Sequence, residues 1–216
     1  MIRALIFDFD GLILDTETPI LDAWASLHQE AGLPYSPECA AKIVGHVDVA
    51  FDPWVAFGEQ ADRVELESRH KLRTRERVHQ QPILPGVESY FKHARAQGLK
   101  LAIASNSPHV WVDKHLERLG LLSLFEVIKC RDDVARGKPE PDVYQAVLHE
   151  LGLNPNEAIA FEDSEAGSLA AKRAGLWSVA VPNPSTLQHD FSHVDLRLSS
   201  LADQPLDELL QRFGGG

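Results

Sequence analysis

Short, largely apolar runs recur along the chain, and each one stops at a polar residue or a proline. They cover residues 4–7, 99–104, 158–161 and 177–181, with a weaker fifth run at 125–128. Short runs with little alternation of apolar and polar positions are typical of strands buried on both faces, as in a parallel sheet. The pattern therefore predicts five parallel strands.

Between these runs, apolar residues follow a helical spacing of three or four positions. The segments 87–94, 112–119, 143–151 and 166–174 show this spacing, and a glycine comes shortly after each of them. Helices commonly end at a glycine just past the last turn. Strands that alternate with such helices predict βαβ units, and hence an α/β fold with a doubly wound, Rossmann-like parallel sheet.

One long segment after the first run interrupts this alternation. It begins with an amphipathic helical pattern at 20–31, and helical patterns resume after Pro37 and after Phe57. Nothing in the segment resembles a buried strand, so we interpret it as an all-helical insertion. The predicted domains are a helical cap at 17–81 and an α/β core formed by 1–16 and 82–216.

The composition narrows the classes of partner and compartment. Of 216 residues, 44% are hydrophobic, and 21 basic against 32 acidic residues give a net charge of −11. This charge argues against nucleic acid and anionic membranes as partners. The two cysteines, Cys39 and Cys130, cannot form a disulfide framework, and Asp8 ends the first apolar run too early for a signal peptide. We expect a cytoplasmic protein. The sequence does not determine the oligomeric state, and a monomer is compatible with it.

Polar residues stop the apolar runs at the carboxyl ends of the predicted strands, where open parallel sheets form their sites. They are Asp8, Asp10, Ser105, Asn106, Glu162 and Asp163. Because carboxylates repel one another, crowding them requires a cation, and oxygen ligands without a nearby His/Cys cluster favour Mg²⁺ over zinc. A carboxylate can also act as a nucleophile that carries a phosphoryl group.

Four segments around these residues resemble the motifs of one enzyme superfamily. Residues 8–17 (DFDGLILDTE), 103–107 (IASNS), 137–142 (GKPEPD) and 161–167 (FEDSEAG) are similar, in order, to the four motifs of the haloacid dehalogenase-like (HAD) hydrolases. The residues of these motifs resemble those of the branch of beta-phosphoglucomutases, CbbY-like proteins and phosphoglycolate phosphatases. That branch carries a helical cap after the first motif, where the insertion lies here.

The resemblance implies a reaction and a metal. Asp8 would attack phosphorus and form an aspartyl-phosphate, while Asp10 would protonate the leaving oxygen and later deprotonate the attacking water. The Asp8 carboxylate, the Asp10 backbone carbonyl and Asp163 would bind Mg²⁺, with Glu162 close by as a further metal residue. Because phosphoryl transfer depends mainly on positioning and charge stabilisation, this set of groups agrees with the chemistry.

The resemblance also implies phosphate-binding residues. Ser105 and the Asn106 backbone would hold the phosphoryl oxygens, and Lys138 would neutralise the charge on Asp8 and on the phosphate, which makes it both a catalytic and a phosphate-binding residue. Glu17, at the start of the predicted cap, is a candidate contact for the substrate. We interpret Asp15 as a residue that caps or braces its loop rather than as a catalyst.

The same motifs serve phosphatases and sugar-phosphate mutases, which hold a second phosphate. The mutases resembled here carry a G-x-x-R segment in the cap and a histidine on the first cap helix. This chain has Asp48 where the arginine would stand and Ile20 where the histidine would stand. We therefore predict a phosphatase of small phosphorylated metabolites, of the sugar-phosphate or phosphoglycolate type. A beta-phosphoglucomutase-type mutase is the alternative, and a non-catalytic ligand- or partner-binding module is the alternative of another class.

Two further groups of residues carry simpler interpretations. Trp24, Trp54, Trp111 and Trp177 are interpreted as packing residues. The basic run at 69–77 is interpreted as the solvated face of a helix, although one of its cations could meet an anionic group of a substrate.

Overall fold

The computed structural model describes residues 1–36 and 52–214. The contacts between Cα atoms divide the chain into two compact units, Met1–Leu14 with Ile83–Gly216, and Asp15–Pro82. The helical pattern expected after Pro37, Cys39 and the departure at Asp48 lie outside the described residues. The division of the chain into domains at 16/17 and 81/82 stays a prediction.

The first unit alternates strands and helices, as the hydrophobic pattern predicts. Its strands are β1 (Ala4–Phe7), β2 (Lys100–Ala104), β3 (Val127–Lys129), β4 (Ala158–Glu162), β5 (Trp177–Ala180) and β6 (Leu196–Arg197). The α-helices within residues 1–36 and 52–214, numbered through both units, are α1 (Glu17–Glu30), α2 (Arg63–Gln80), α3 (Val87–Ala96), α4 (His109–Arg118), α5 (Asp142–Leu151), α6 (Glu165–Arg173) and α7 (Leu206–Gly214).

The described strands form one six-stranded sheet in the order β3-β2-β1-β4-β5-β6, and all neighbours are parallel. This confirms the doubly wound, Rossmann-like α/β fold. Strand β1 lies inside the sheet, with Phe7 opposite Ile103 of β2 and Phe161 of β4. The residues that follow β1 therefore emerge between the ends of β2 and β4, at the point where the strand order reverses.

Both faces of the sheet are covered, because alternate residues of each strand point to opposite sides. One face presents small residues such as Ala4, Ala102 and Ala160 to the apolar sides of α5 and α6. On the other face, Phe7 stacks on Phe161 at 4.8 Å and meets Phe91 of α3 edge-on at 5.1 Å. These strands consequently read as apolar at nearly every position.

The second unit contains α1 and α2, which pack against each other around an aromatic cluster. The cluster contains Trp24, Leu27, Trp54 and Leu66. Helix α2 carries the basic run, and Arg69 and Arg73 both bind the Glu30 carboxylate of α1 at 2.8 Å. These two cations thus hold α1 and α2 together at a partly exposed position.

Three differences from the predicted elements concern the sheet edges and the C-terminal part. Strand β3 begins at Val127 rather than at Phe125, whose ring packs edge-on against Phe91 at 5.3 Å. Strand β6 and helix α7 are additional elements that the apolar runs do not predict. No helix within the described ranges is long and apolar enough to cross a bilayer.

Candidate active site

The polar residues predicted at the strand ends come together at the carboxyl edge of the sheet. Asp8 follows β1 directly, and its backbone N–H donates to the Phe161 carbonyl at 3.0 Å. Ser105 follows β2, while Glu162 ends β4 and Asp163 comes next. Parallel pairing of β1 with β2 and β4 brings these ends side by side, so segments distant in sequence share one site.

Lys138 links two of these acids through a buried ammonium. Its Nζ lies 2.6 Å from Asp8 Oδ1 and 2.6 Å from Glu162 Oε1, and it also donates to the Ala104 carbonyl at 2.7 Å. The Lys138 side chain is 4% exposed, so these contacts are shielded from water. The three donors of the ammonium are therefore all used, and its position relative to Asp8 is tightly defined.

Asn106 holds the backbone of Lys138 in place. Its Oδ1 accepts from the Lys138 N–H at 2.7 Å, and its Nδ2 donates to the Lys138 carbonyl at 3.1 Å. The side chain of Asn106 is thus committed to Lys138. This leaves its backbone as the part that can meet a phosphoryl group, in line with the role that the resemblance implies.

Burial and charge act in opposite directions on this pair. Burial raises the pKa of the Asp8 carboxyl to about 8, although the Lys138 ammonium opposes the shift. Burial would lower the pKa of Lys138, yet the Asp8 and Glu162 carboxylates together raise it above its usual range. Lys138 is consequently charged at neutral pH, whereas Asp8 needs further positive charge nearby to ionise fully.

The carboxylates of Asp8, Glu162 and Asp163 form a buried cluster that suits a divalent cation. One oxygen from each lies within 4.8 Å of the others. With all three carboxylates ionised, they and the ammonium of Lys138 sum to a charge of −2, which equals the charge that one divalent ion would neutralise. All donors are oxygens, the ligands that Mg²⁺ prefers. The residues therefore fit the predicted cofactor.

Asp163 is oriented from two sides. Asn183, in the loop after β5, donates through Nδ2 to Asp163 Oδ2 at 2.8 Å and to the Gly11 carbonyl at 3.3 Å. Gly11 has a positive φ of 75°, and a Cβ there would overlap the carboxylate of Asp163. Glycine is thus required at the turn after Asp10, both for the backbone conformation and for the close approach of the metal-site acid.

Glu162 is fully buried, and its contacts point toward Lys138. Its Oε1 accepts hydrogen bonds from Lys138 and from the hydroxyl of Tyr144 on α5. Its carboxylate also lies so close to Gly167 that a Cβ at that position would overlap it. These contacts favour a role in orienting Lys138, and the role of Glu162 as a metal ligand stays a prediction.

Asp10 is held by two donors that the sequence pattern did not reveal. Ser107 Oγ donates to Asp10 Oδ2 at 2.6 Å, and the indole Nε1 of Trp111 donates to Asp10 Oδ1 at 2.8 Å. The interpretation of Trp111 as a packing residue is therefore incomplete. Trp111 is the third residue of α4, and its position in the sequence does not indicate a hydrogen bond to Asp10, about a hundred residues earlier in the chain.

Ser105 begins the loop that joins β2 to α4. Ser105 is 1% exposed, and its Oγ accepts from the Ser107 N–H at 3.0 Å, so its own hydroxyl proton is left to donate elsewhere. The loop leads directly into α4, whose first-turn N–H groups favour negative charge. The first of these N–H groups, on His109, already donates to the Asp132 carboxylate at 3.1 Å, and the phosphate-binding role of Ser105 stays a prediction.

The start of the second unit contains the remaining predicted residues. Asp15 Oδ1 accepts from the backbone N–H groups of Glu17 at 3.2 Å and Thr18 at 3.0 Å, which confirms Asp15 as a structural residue that braces the start of α1. Glu17 is buried at the first position of α1, and its contact with substrate stays a prediction. Ile20 packs against the aromatic cluster of the second unit.

Comparisons with known proteins agree on one family. A family model described as haloacid dehalogenase-like hydrolase matches residues 5–181. YhcW from Bacillus subtilis (strain 168) is 41% identical over 217 residues, covering 99% of this chain and 98% of YhcW. Hexitol phosphatase B from Escherichia coli (strain K12) is 33% identical over 219 residues, covering 97% of each.

A solved structure of similar architecture extends the likeness to three dimensions. A HAD family hydrolase from Deinococcus radiodurans R1, crystallised with bound phosphate and sodium, matches with a TM-score of 0.80 and 26% sequence identity. The match covers 99% of this chain and 96% of that one. The likeness therefore extends over nearly the whole length of both chains.

Proposed function

Because this chain belongs to the haloacid dehalogenase-like hydrolase family, we propose that it is a Mg²⁺-dependent phosphatase that acts through an aspartyl-phosphate on Asp8. The substrates are small phosphorylated metabolites of the sugar-phosphate or phosphoglycolate type. The observation that carries the proposal is the buried Asp8 carboxylate, held at 2.6 Å by Lys138 beside two further carboxylates. The names of relatives such as hexitol phosphatase B support the same chemistry.

The first chemical step transfers the phosphoryl group to the protein. Lys138 occupies Asp8 Oδ1, so Oδ2 is the oxygen that attacks phosphorus. The bond from phosphorus to the leaving oxygen breaks, and Asp10 gives that oxygen a proton. Ser105, the Asn106 N–H and Lys138 stabilise the negative charge on the phosphoryl oxygens during transfer.

The second step returns Asp8 to its starting state. Asp10 takes a proton from a water molecule, the water oxygen bonds to phosphorus, and the bond between phosphorus and Asp8 breaks. Asp8, Asp163 and the Asp10 carbonyl would hold Mg²⁺, with Glu162 close by. When bound, the divalent cation offsets the negative charge of the attacking carboxylate and of the phosphoryl oxygens.

The remaining parts of the proposal concern substrate and setting. Glu17 contacts the substrate from the start of the helical cap at 17–81. Neither nucleic acid nor membrane is a partner, in keeping with the net charge of −11. The reaction takes place in the cytoplasm.

The test measures release of inorganic phosphate from an aryl phosphate and from a panel of sugar phosphates and phosphoglycolate. We expect turnover with Mg²⁺, loss of turnover with EDTA, and loss in Asp8→Asn. Asp207→Asn, on α7, is the matched control and should keep the activity of the unmodified protein. Equal rates under all of these conditions would rule the proposal out.

Two other outcomes would redirect it. Efficient formation of glucose 6-phosphate from beta-glucose 1-phosphate and a trace of the 1,6-bisphosphate, without free phosphate, would identify a mutase. No phosphate release from any member of the panel, in protein that binds Mg²⁺, would identify a ligand-binding module.

A further inference from the structure

The Asp10 carboxylate is fixed by two residues from outside the strand that carries it. Ser107 lies in the loop after β2 and Trp111 lies in the first turn of α4, and each donates to a different oxygen of Asp10. We propose that Ser107 and Trp111 are positioning residues that aim Asp10 at the leaving oxygen of the substrate. This inference rests on the proposed phosphatase function and deepens it.

The geometry leaves Asp10 able to react. A protonated carboxyl group has one O–H donor and keeps acceptor capacity on its oxygens, so Asp10 can accept from Ser107 and Trp111 and still give a proton to the leaving oxygen. With both oxygens held, rotation about the last side-chain bond of Asp10 is restricted. A proton donor that is already aimed loses less entropy on reaching the transition state than a freely rotating one.

Ser107 ties Asp10 to the phosphate-binding loop. The Ser107 N–H donates to Ser105 Oγ at 3.0 Å, and the Ser107 carbonyl accepts from the Arg131 N–H at 3.0 Å. Ser107 thus contacts both Ser105, the predicted phosphate-binding residue, and Asp10, the predicted proton donor. The distance between the phosphoryl group and Asp10 is therefore set by this short loop.

Trp111 is itself held firmly. Its ring packs edge-on against His115 at 4.4 Å, one helical turn further along α4. At the start of α4, His109 bridges two acids, Asp113 at 3.0 Å and Asp133 at 2.7 Å, and so braces the helix against the turn after β3. The indole N–H that reaches Asp10 is consequently presented by an anchored helix end rather than by a loose loop.

The chemical consequence depends on the leaving group. An alkoxide, as in a sugar phosphate, is strongly basic and needs a proton as it departs, whereas a nitrophenolate leaves readily without one. A poorly aimed Asp10 should therefore slow the release of sugars far more than the release of nitrophenol. A general loss of structure would slow both substrates alike.

The experiment compares kcat/KM for a hexose phosphate and for p-nitrophenyl phosphate in Trp111→Phe and Ser107→Ala. This parameter covers the steps up to departure of the leaving group, so hydrolysis of the aspartyl-phosphate does not enter it. Trp177→Phe, whose indole donates to the Asn156 carbonyl, and Ser192→Ala, whose hydroxyl donates to Asp190, are the matched controls.

We expect kcat/KM for the hexose phosphate to fall by about tenfold to a hundredfold in each variant, because the lost hydrogen bond is to a group that becomes charged as it gives up its proton. The value for p-nitrophenyl phosphate should change by less than about threefold, and neither control should alter the ratio of the two values. Ser107→Thr, which keeps a hydroxyl, should restore the hexose phosphate activity that Ser107→Ala loses.

Two results separate this inference from the proposed function. If the unmodified protein releases phosphate but both variants lose activity equally on the two substrates, the positioning role is overturned and the phosphatase stands. If the unmodified protein releases no phosphate from either substrate, both proposals are overturned. Ser107→Ala removes only one hydroxyl from a half-buried loop residue, so it keeps the test valid should Trp111→Phe fail to fold.

Discussion

Removing the ammonium of Lys138 should destabilise the folded protein strongly. The variant Lys138→Met keeps the length of the side chain and its packing over Tyr144, whose ring centre lies 5.3 Å from Nζ. It removes three contacts at once, to Asp8 at 2.6 Å, to Glu162 at 2.6 Å and to the Ala104 carbonyl at 2.7 Å. At least one fully buried carboxylate then has no counterion.

The magnitude follows from that uncompensated charge. Removing one partner of a buried ion pair costs about 3–5 kcal/mol, which is a large part of the total stability of a typical domain. Glu162 is 0% exposed, so solvent cannot screen its charge. The double variant Lys138→Met/Glu162→Gln should recover much of the loss, because the fully buried carboxylate of Glu162 is then replaced by a neutral amide.

The assay is equilibrium urea unfolding at pH 7 in EDTA. The slope of the unfolding free energy against urea concentration should be the same in all variants. The matched control is Lys172→Met, which breaks the 2.8 Å pair with Asp195, where the two side chains are 31% and 21% exposed. The control should cost about 1 kcal/mol or less. A loss in Lys138→Met no larger than in the control would refute the reasoning.

Changes at Asp8, Gly167 and Asn106 alter the surroundings of Lys138 in three further ways. The pKa of Asp8 in the folded, metal-free protein is raised from 3.8 to about 8, so between these pH values the folded state holds a proton that the unfolded chain releases. The melting temperature in EDTA should therefore fall as pH rises through this range, and it should fall less in Asp8→Asn. Gly167→Ala should cost about 1–3 kcal/mol in urea unfolding, since its Cβ overlaps the buried Glu162 carboxylate, and an unchanged midpoint would contradict this. Asn106→Ala removes both hydrogen bonds to the Lys138 backbone and should lower kcat about tenfold or more, with Asn154→Ala as the control.

The hydrophobic pattern predicts the centre of the sheet better than its edges. Strands β1, β2 and β4 are covered on both faces, so their apolar runs stand out from the surrounding chain. Strand β6 has two residues and depends on pairing with β5, a contact that no local pattern encodes. Helix α7, by contrast, did carry a signal, because Leu206, Leu209 and Phe213 share one buried face behind two acids in the first turn.

In the candidate site, too, residues within local sequence motifs are predictable, whereas partners from distant segments are not. Asp8, Ser105, Asp163 and Lys138 belong to short motifs, and the motifs predict them by residue number. Their orienting partners, such as Tyr144 for Glu162 and Asn183 for Asp163, are single polar residues within helices or loops. Nothing in their neighbourhoods along the chain distinguishes them, because the sheet order brings them to the site.

The contacts of the four acids accord with the proposed role of Asp8 as the nucleophile. Both oxygens of Asp10 accept hydrogen bonds, Glu162 is buried behind Lys138 and Tyr144, and Asp163 is oriented by Asn183. Within the described residues, the side-chain hydrogen bond of Asp8 falls on Oδ1 alone. Asp8 thus has one oxygen anchored by Lys138, and the neighbouring acids Glu162 and Asp163 lie around it within the same buried cluster.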